Sequence, residues 1–368
     1  MIAEVSLRKS IFYHPAANDP VYRFFAVPLG EKAIPAALLY FLFSFGGTIL
    51  LSLAGGTLYR NGSLIPLSHD YLNLINLGLL SPLGAIVTVN FYRRLSRFLR
   101  CLVRGDWGSD TEGAAELHSM VKPMYQSSLA SWLSFISGSV IAVISMLLRP
   151  GWWLGIHGGF TAFYARIFIC LNYGVIILML YKSLVTGFLL LRTMRLGLRI
   201  RPLHPDRCGG LKVIGDLSLS MHYFLTVVLL YLGLLALFEP ECQQNPVFWF
   251  MFFLVLLVAL SSPVYSLAGV HRMMQATRQR MLLRLSSSLQ NSLEKVPGGD
   301  DLAAMQSVQG LTELYRLAES MPVWPYEFGS MARLISSIIM TPLAMLINML
   351  SSGDSLVSHL DKLRFWGN

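Results

Sequence analysis

Within Arg201-Pro202-Leu203-His204-Pro205-Asp206-Arg207-Cys208-Gly209-Gly210-Leu211 an imidazole, a carboxylate and a thiol fall inside five residues. His204, Asp206 and Cys208 are all types that bind first-row metals, so a metal site is one chemistry open to them. A structural site needs a fourth ligand and usually a close cysteine pair, yet Cys101, Cys170, Cys208 and Cys242 lie far apart. His222 or His271 would have to complete it. The other reading is a turn. Pro202 and Pro205 stop a helix, because proline lacks the amide hydrogen and clashes one turn back. Asp206 accepts backbone N–H groups, and Gly209-Gly210 permit positive φ as the chain reverses. The turn accounts for more of these residues than a metal does. His204, Pro205, Asp206, Cys208, Gly209 and Gly210 are therefore read as a rigid coupling joint, and no cofactor is expected.

A second motif, Pro322-Val323-Trp324-Pro325-Tyr326-Glu327-Phe328, frames a tryptophan with prolines. Aromatic clusters of this kind sit at membrane–water interfaces, and Glu327 suits the N-terminus of a following helix. Pro322, Trp324, Pro325 and Tyr326 form an interface motif expected to dock on the equally rigid 201–211 loop. In the last apolar run Ser330, Ser337, Thr341, Asn348 and Ser352 are spaced 7, 4, 7 and 4. That spacing puts them within about 60° of one another on a helix. Ser337, Thr341 and Asn348 would serve as packing glue, at about 0.6 kcal/mol a contact, or as one wall of a pore in an oligomer. No charged residue lies between Leu334 and Leu350, which excludes a charged selectivity ring there. Pro342 bends that helix or makes it re-entrant.

Arg166 is the charge read as lying inside a span, where it can snorkel outward. The span cores hold no carboxylate, which argues against proton- or sodium-coupled transport. Serine-histidine-aspartate and Gly-rich phosphate signatures are missing as well. His69-Asp70 and His204/Asp206 are the polar pairs left for a membrane enzyme.

Composition says what kind of element holds these residues. Of 368 residues 54% are hydrophobic and 13% charged, and the mean hydropathy is +0.55. A soluble domain carries about 25% charge. Spans are expected at about 33–56, 71–92, 129–148, 161–181, 217–238 and 247–270, after a cytosolic segment at 1–32. Arg8-Lys9 precedes no apolar run, so the first span is expected to act as the insertion signal. Asn73, Asn76 and Asn90 make the second span an interior helix. A cytosolic helical region at 271–332 follows, as two amphipathic helices broken at Pro297-Gly298-Gly299. A seventh span or re-entrant helix at 333–350 and a tail at 351–368 complete the chain. The fold class is all-α: an integral membrane bundle of six spans plus a seventh or re-entrant helix, with cytosolic helical extensions.

With the N-terminus cytoplasmic, the inner segments hold 24 of the 29 Lys and Arg residues, as the positive-inside rule requires. The cations cluster at 93–104, 192–201 and 272–284, where helices leave the membrane. Anionic lipid headgroups are the partners expected there, at about 1 kcal/mol per cation. Nucleic acid would need an aromatic-lined groove or a known module, and is not expected despite a net charge of +9.

His204-Pro205-Asp206 is also the J-domain tripeptide, but there it joins two soluble helices, and here it lies between apolar spans. HPD-x-x-GGL at His204–Leu211, with P-x-W-P-[FY] at Pro322–Tyr326, resembles a loosely defined group of uncharacterised bacterial multi-pass inner-membrane proteins. The pattern covers about residues 200–350. The resemblance implies a bacterial inner-membrane setting and joint use of the two motifs. The function expected is a channel-like or membrane-effector protein, a homo-oligomer gated by a cytosolic signal or protein partner. A membrane-anchored sensor or scaffold without flux is the alternative, and a metal-dependent membrane enzyme is the third.

Overall fold

The computed structural model describes residues 23, 32–56, 58, 71–104, 119, 125, 127–148, 159–194, 200, 206, 208–238, 246–294, 302–321, 323, 324 and 336. Among these every regular element is helical. Helix α1 joins Ala33–Phe41, a π turn Leu42–Gly46, and Gly47–Ala54. Helix α2 joins Tyr71–Ile75, a π turn Asn76–Leu80, and Ser81–Arg104. Then come α3 Ser128–Leu148, α4 Gly159–Met194, α5 Lys212–Phe238, α6 Pro246–Glu294 and α7 Leu302–Glu319.

Four of these helices, α1, α2, α4 and α5, are long and apolar enough to cross a membrane. At 1.5 Å per residue about 20 residues suffice for about 30 Å of hydrocarbon. The apolar stretches in α3 and α6, Ser128–Ile144 and Phe248–Ser261, are shorter. The all-helical class is therefore observed with four spans of full length, against the six expected. Apart from Arg23, Lys32 and Ser336, the segments 1–32, 333–350 and 351–368 lie outside the described residues.

The bundle exposes large apolar side chains and buries polar ones within its apolar core. Leu38, Leu42 and Leu50 on α1 are exposed, as are Trp132, Leu133 and Ile136 on α3 and Phe250, Phe253 and Leu257 on α6. Ser44, Thr48, Asn73, Asn76, Ser81 and Thr88 are buried instead. A helix packed in water does the reverse. Lipid removes the penalty on the outer leucines and leaves the inner polar groups to bond one another. Asn73 and Asn76 are buried and Asn90 is half-buried.

The two π turns face each other. Ser44 Oγ lies 2.7 Å from the Tyr40 carbonyl and 3.1 Å from the Leu77 carbonyl, linking α1 to the π turn of α2. The ring of Phe45 packs over Gly78, whose missing side chain admits it. In α2 the Asn76 carbonyl accepts both the N–H and the hydroxyl of Ser81, the latter at 2.8 Å. Helices α3 and α4 cross closely because Gly138 lies against the Tyr173 carbonyl and Gly174 against Phe135.

Beyond its apolar part, α2 turns Phe91, Tyr92, Leu95 and Phe98 inward and Arg93, Arg97 and Arg100 outward. This is the spacing of one helical face. Arg94 donates from Nη1 to the Asp216 carbonyl at 2.8 Å, tying α2 to the first turns of α5. Helix α6 is continuous over 49 residues, about 70 Å at the helical rise. Past its apolar half, His271, Met274, Arg278, Met281, Leu285 and Leu289 are buried or half-buried, as are Val308, Leu311, Thr312, Tyr315 and Ala318 on α7. Recurrence every three or four residues on both helices makes the α6–α7 pair a hairpin with a narrow apolar seam. Arg278 closes it by donating from Nη2 to the Glu319 carbonyl at 2.5 Å.

Candidate functional site

The Asp206 carboxylate organises the turn that opens α5. Its Oδ1 accepts the N–H groups of Cys208 and Gly210, each at 2.9 Å, and its Oδ2 accepts that of Lys212 at 3.3 Å. Gly209 and Gly210 take φ of 68° and 86°, which side chains with a Cβ rarely adopt. The Leu211 N–H donates to the Cys208 carbonyl at 3.1 Å, and both residues are buried. The carboxylate is thus engaged by backbone donors at the start of a helix, where negative charge is stabilised. His204 and Pro205 lie outside the described residues. Among the described residues no three His, Cys, Asp or Glu side chains gather where they could hold a metal ion.

Trp324 stacks on His271 of α6, with ring centroids 4.2 Å apart and planes at 19°. His271 Nδ1 lies 2.9 Å from the Val323 carbonyl. A carbonyl only accepts, so this bond requires the proton on Nδ1. Pro322, Pro325 and Tyr326, and Ser337, Thr341 and Asn348 of the polar stripe, lie outside the described residues. Leu211 of the first motif and Met321, Val270 and Met274 belong to one packed core, and Trp324 packs against that core. The two motifs therefore share a hydrophobic cluster, and His271 supplies the ring contact. Sequence reasoning had considered His271 only as a metal ligand. Its position directly after the span expected at 247–270 was the available signal.

A second polar centre was not anticipated. Lys182 of α4 is fully buried. Its Nζ donates to the Tyr125 carbonyl at 3.2 Å and to Ser131 Oγ at 2.8 Å, and lies 5.6 and 5.5 Å from the ring centres of Tyr125 and Tyr181. The Tyr125 hydroxyl bonds Thr186 Oγ1, which donates back to the Lys182 carbonyl at 2.7 Å. Burial pushes the Tyr125 phenol up, more than the Thr186 bond lowers it. The ammonium thereby staples the entry of α3 to α4. A lone lysine directly after Leu180-Tyr181 and four residues before Thr186 was the sequence clue.

A chain of side chains links α1, α2 and α4 nearer the π turns. The Tyr40 hydroxyl donates to Asn172 Oδ1 at 2.6 Å, and Asn172 Nδ2 donates to Ser81 Oγ at 2.7 Å. The hydroxyls of Tyr173 and Tyr231 meet at 3.3 Å between α4 and α5. Hydrogen bonds of this kind fix which helix faces meet, since in lipid the unmet alternative is unfavourable.

Comparison with known proteins gives no match: no family model, no curated protein and no solved structure aligns significantly with this chain.

Proposed function

We propose that this chain is a bacterial inner-membrane effector of channel-like type, working as a homo-oligomer gated by a cytosolic signal or protein partner. Six spans are assigned, with the N-terminus and the α6–α7 hairpin in the cytoplasm, an orientation supported by the skewed distribution of Lys and Arg. The observation that carries the proposal is the clamp of His271 on Val323 and Trp324. It sits at the waist of a helix whose first half is apolar and whose second half forms the exposed hairpin. A partner that pulls or twists the hairpin acts on a rigid lever, and the lever ends in the core that the 206–211 turn also joins. That turn and the Pro322–Tyr326 motif are assigned the coupling role, and Ser337, Thr341 and Asn348 the pore wall.

Ion flux through reconstituted liposomes tests the assignment. Flux is expected from the wild-type chain, and Thr341→Val with Asn348→Leu is expected to change its size or selectivity. Flux that persists unchanged in the double variant would remove the stripe from the pore.

The alternative of a scaffold without flux has one observation in its favour. Leu283, Leu293, Met305 and Leu317 of the hairpin are exposed, apolar side chains that a protein partner would cover. Capture of a cytosolic protein by the intact chain, lost on Leu283→Lys or Leu317→Lys and unaccompanied by flux, would favour that role.

A further inference from the structure

Helices α1, α2, α4 and α5 leave between them a partly open cleft. Its polar wall consists chiefly of Tyr40, Ser81, Thr88, Asn172, Tyr173 and Tyr231. Most of the remaining lining is apolar, and no Asp, Glu, Lys, Arg or His is among the described residues that line it. The π turn of α2 contributes Asn76 and Leu80, and π turns are enriched at functional sites.

Two features of this wall point to a ligand. Thr88 is 6% exposed, and its hydroxyl has no hydrogen-bond partner, an unfavourable state for a buried polar group unless something meets it. One turn earlier on the same face of α2, Gly84 also lines the cleft, and a Cβ there would meet nothing within 4 Å. A side chain is missing where there is room for one, beside a hydroxyl that lacks a partner. Asn172 adds a donor, because its amide has two N–H bonds and Ser81 takes one of them.

We propose that the cleft binds a neutral lipid, an apolar body carrying a hydroxyl or carbonyl oxygen, drawn from the bilayer. The oxygen meets Thr88 or the second N–H of Asn172, and the body fills the space beside Gly84. An ionised headgroup is excluded because it would lose its hydration with no opposite charge in the wall. A sugar is excluded because the wall is mainly apolar.

The test uses the full chain in phosphatidylcholine nanodiscs with a long-chain monoacylglycerol bearing a photoreactive diazirine. Saturable labelling is expected on α2 and α4, in peptides containing residues 81–89 and 172–176, and unlabelled monoacylglycerol should compete. Thr88→Val keeps the shape and removes the hydroxyl, so it should weaken labelling about fivefold, the worth of one net hydrogen bond. Gly84→Leu fills the space while raising helix propensity, and should weaken labelling by about tenfold or more, the scale expected when several methylenes lose their place. Labelling that never saturates, or that is unchanged in both variants while their melting is as wild type, would overturn the proposal. Labelling confined to the outward residues Leu133 and Ile136 would show bilayer contact alone and overturn it too. Equal saturable labelling by a matched fatty-acid probe would refute the preference for a neutral head. Competition by water-soluble monobutyrin in place of the long-chain lipid would overturn the bilayer as source.

Discussion

Trp324 lies face to face with His271, ring centroids 4.2 Å apart, while the same imidazole donates from Nδ1 to the Val323 carbonyl at 2.9 Å. One side chain on α6 thus holds the strand of chain that leaves α7, just past the buried Met321. Stacking contributes about 0.5–1.5 kcal/mol and a hydrogen bond about 1 kcal/mol net. His271→Ala should therefore raise amide exchange across residues 302–321 by roughly one to two orders of magnitude. His271→Phe keeps the stack and loses the bond, so its exchange should fall between the two. Unchanged exchange in His271→Ala would mean that the α6–α7 seam alone holds the hairpin.

The Asp206 turn separates a structural carboxylate from a chemical one. Asp206→Asn retains one oxygen, which can still accept the Cys208 and Gly210 N–H groups that Oδ1 now accepts. Asp206→Ala loses all three acceptor contacts and leaves backbone donors unmet. Each charge-assisted bond contributes about 1.5–3 kcal/mol, and their effects overlap at one carboxylate. Thermal unfolding in detergent should place Asp206→Asn between wild type and Asp206→Ala, because it loses the charge and the Lys212 contact but keeps one acceptor, with Asp206→Ala lower by about 2–4 kcal/mol. Equal loss from both would show that the negative charge, not the acceptor geometry, is what the turn uses.

That turn was legible in the sequence because its chemistry is local. Asp206 meets donors two to six residues away, and Gly209-Gly210 announce the positive φ. The apolar runs were legible for the same reason, since their length and periodicity are properties of consecutive residues. Span number was less so: the apolar stretch of α3 ends at Ile144, and that of α6 passes into a helix that never breaks before Glu294. The His271–Val323 bond bridges 52 residues, and Lys182 meets acceptors 57 and 51 residues away. Such pairings depend on how helices cross, which spacing along one helix does not encode. A lysine at the end of an apolar run has the same local signature whether it snorkels to water or turns inward. The π turns have no side-chain signature, so the facing of Ser44 and Leu77 appears only in three dimensions.

The α3–α4 crossing should tolerate no added methyl at its closest point. A Cβ on Gly138 would strike the Tyr173 carbonyl, a backbone atom that cannot rotate aside. At Gly174 the obstacle is partly the Phe135 ring, which can move, and partly the Phe135 carbonyl at 2.9 Å. Overpacking costs about 1–3 kcal/mol, so Gly138→Ala should lower the melting temperature more than Gly174→Ala. The separation of spin labels on Leu133 and Leu184 should widen only in the former. The reverse order would place the tight contact elsewhere along the helices.

Lys182 allows the strongest test of a buried polar centre. Lys182→Met keeps most of the stem's packing and removes the ammonium, which relieves the desolvation of a buried charge. Against that gain, the Tyr125 carbonyl and Ser131 hydroxyl lose the donor they share. Unmet buried acceptors cost about 1–3 kcal/mol each, and the charge over the Tyr125 and Tyr181 rings contributes about 1–2 kcal/mol more. The losses outnumber the gain, so Lys182→Met should be destabilised by about 2–4 kcal/mol. Adding Ser131→Ala removes one orphaned group and should recover part of that loss. Tyr125→Phe keeps the carbonyl and the ring but drops the bond to Thr186, and should cost only about 1 kcal/mol. A double variant that melts no higher than Lys182→Met would assign the ammonium to Tyr125 rather than to Ser131.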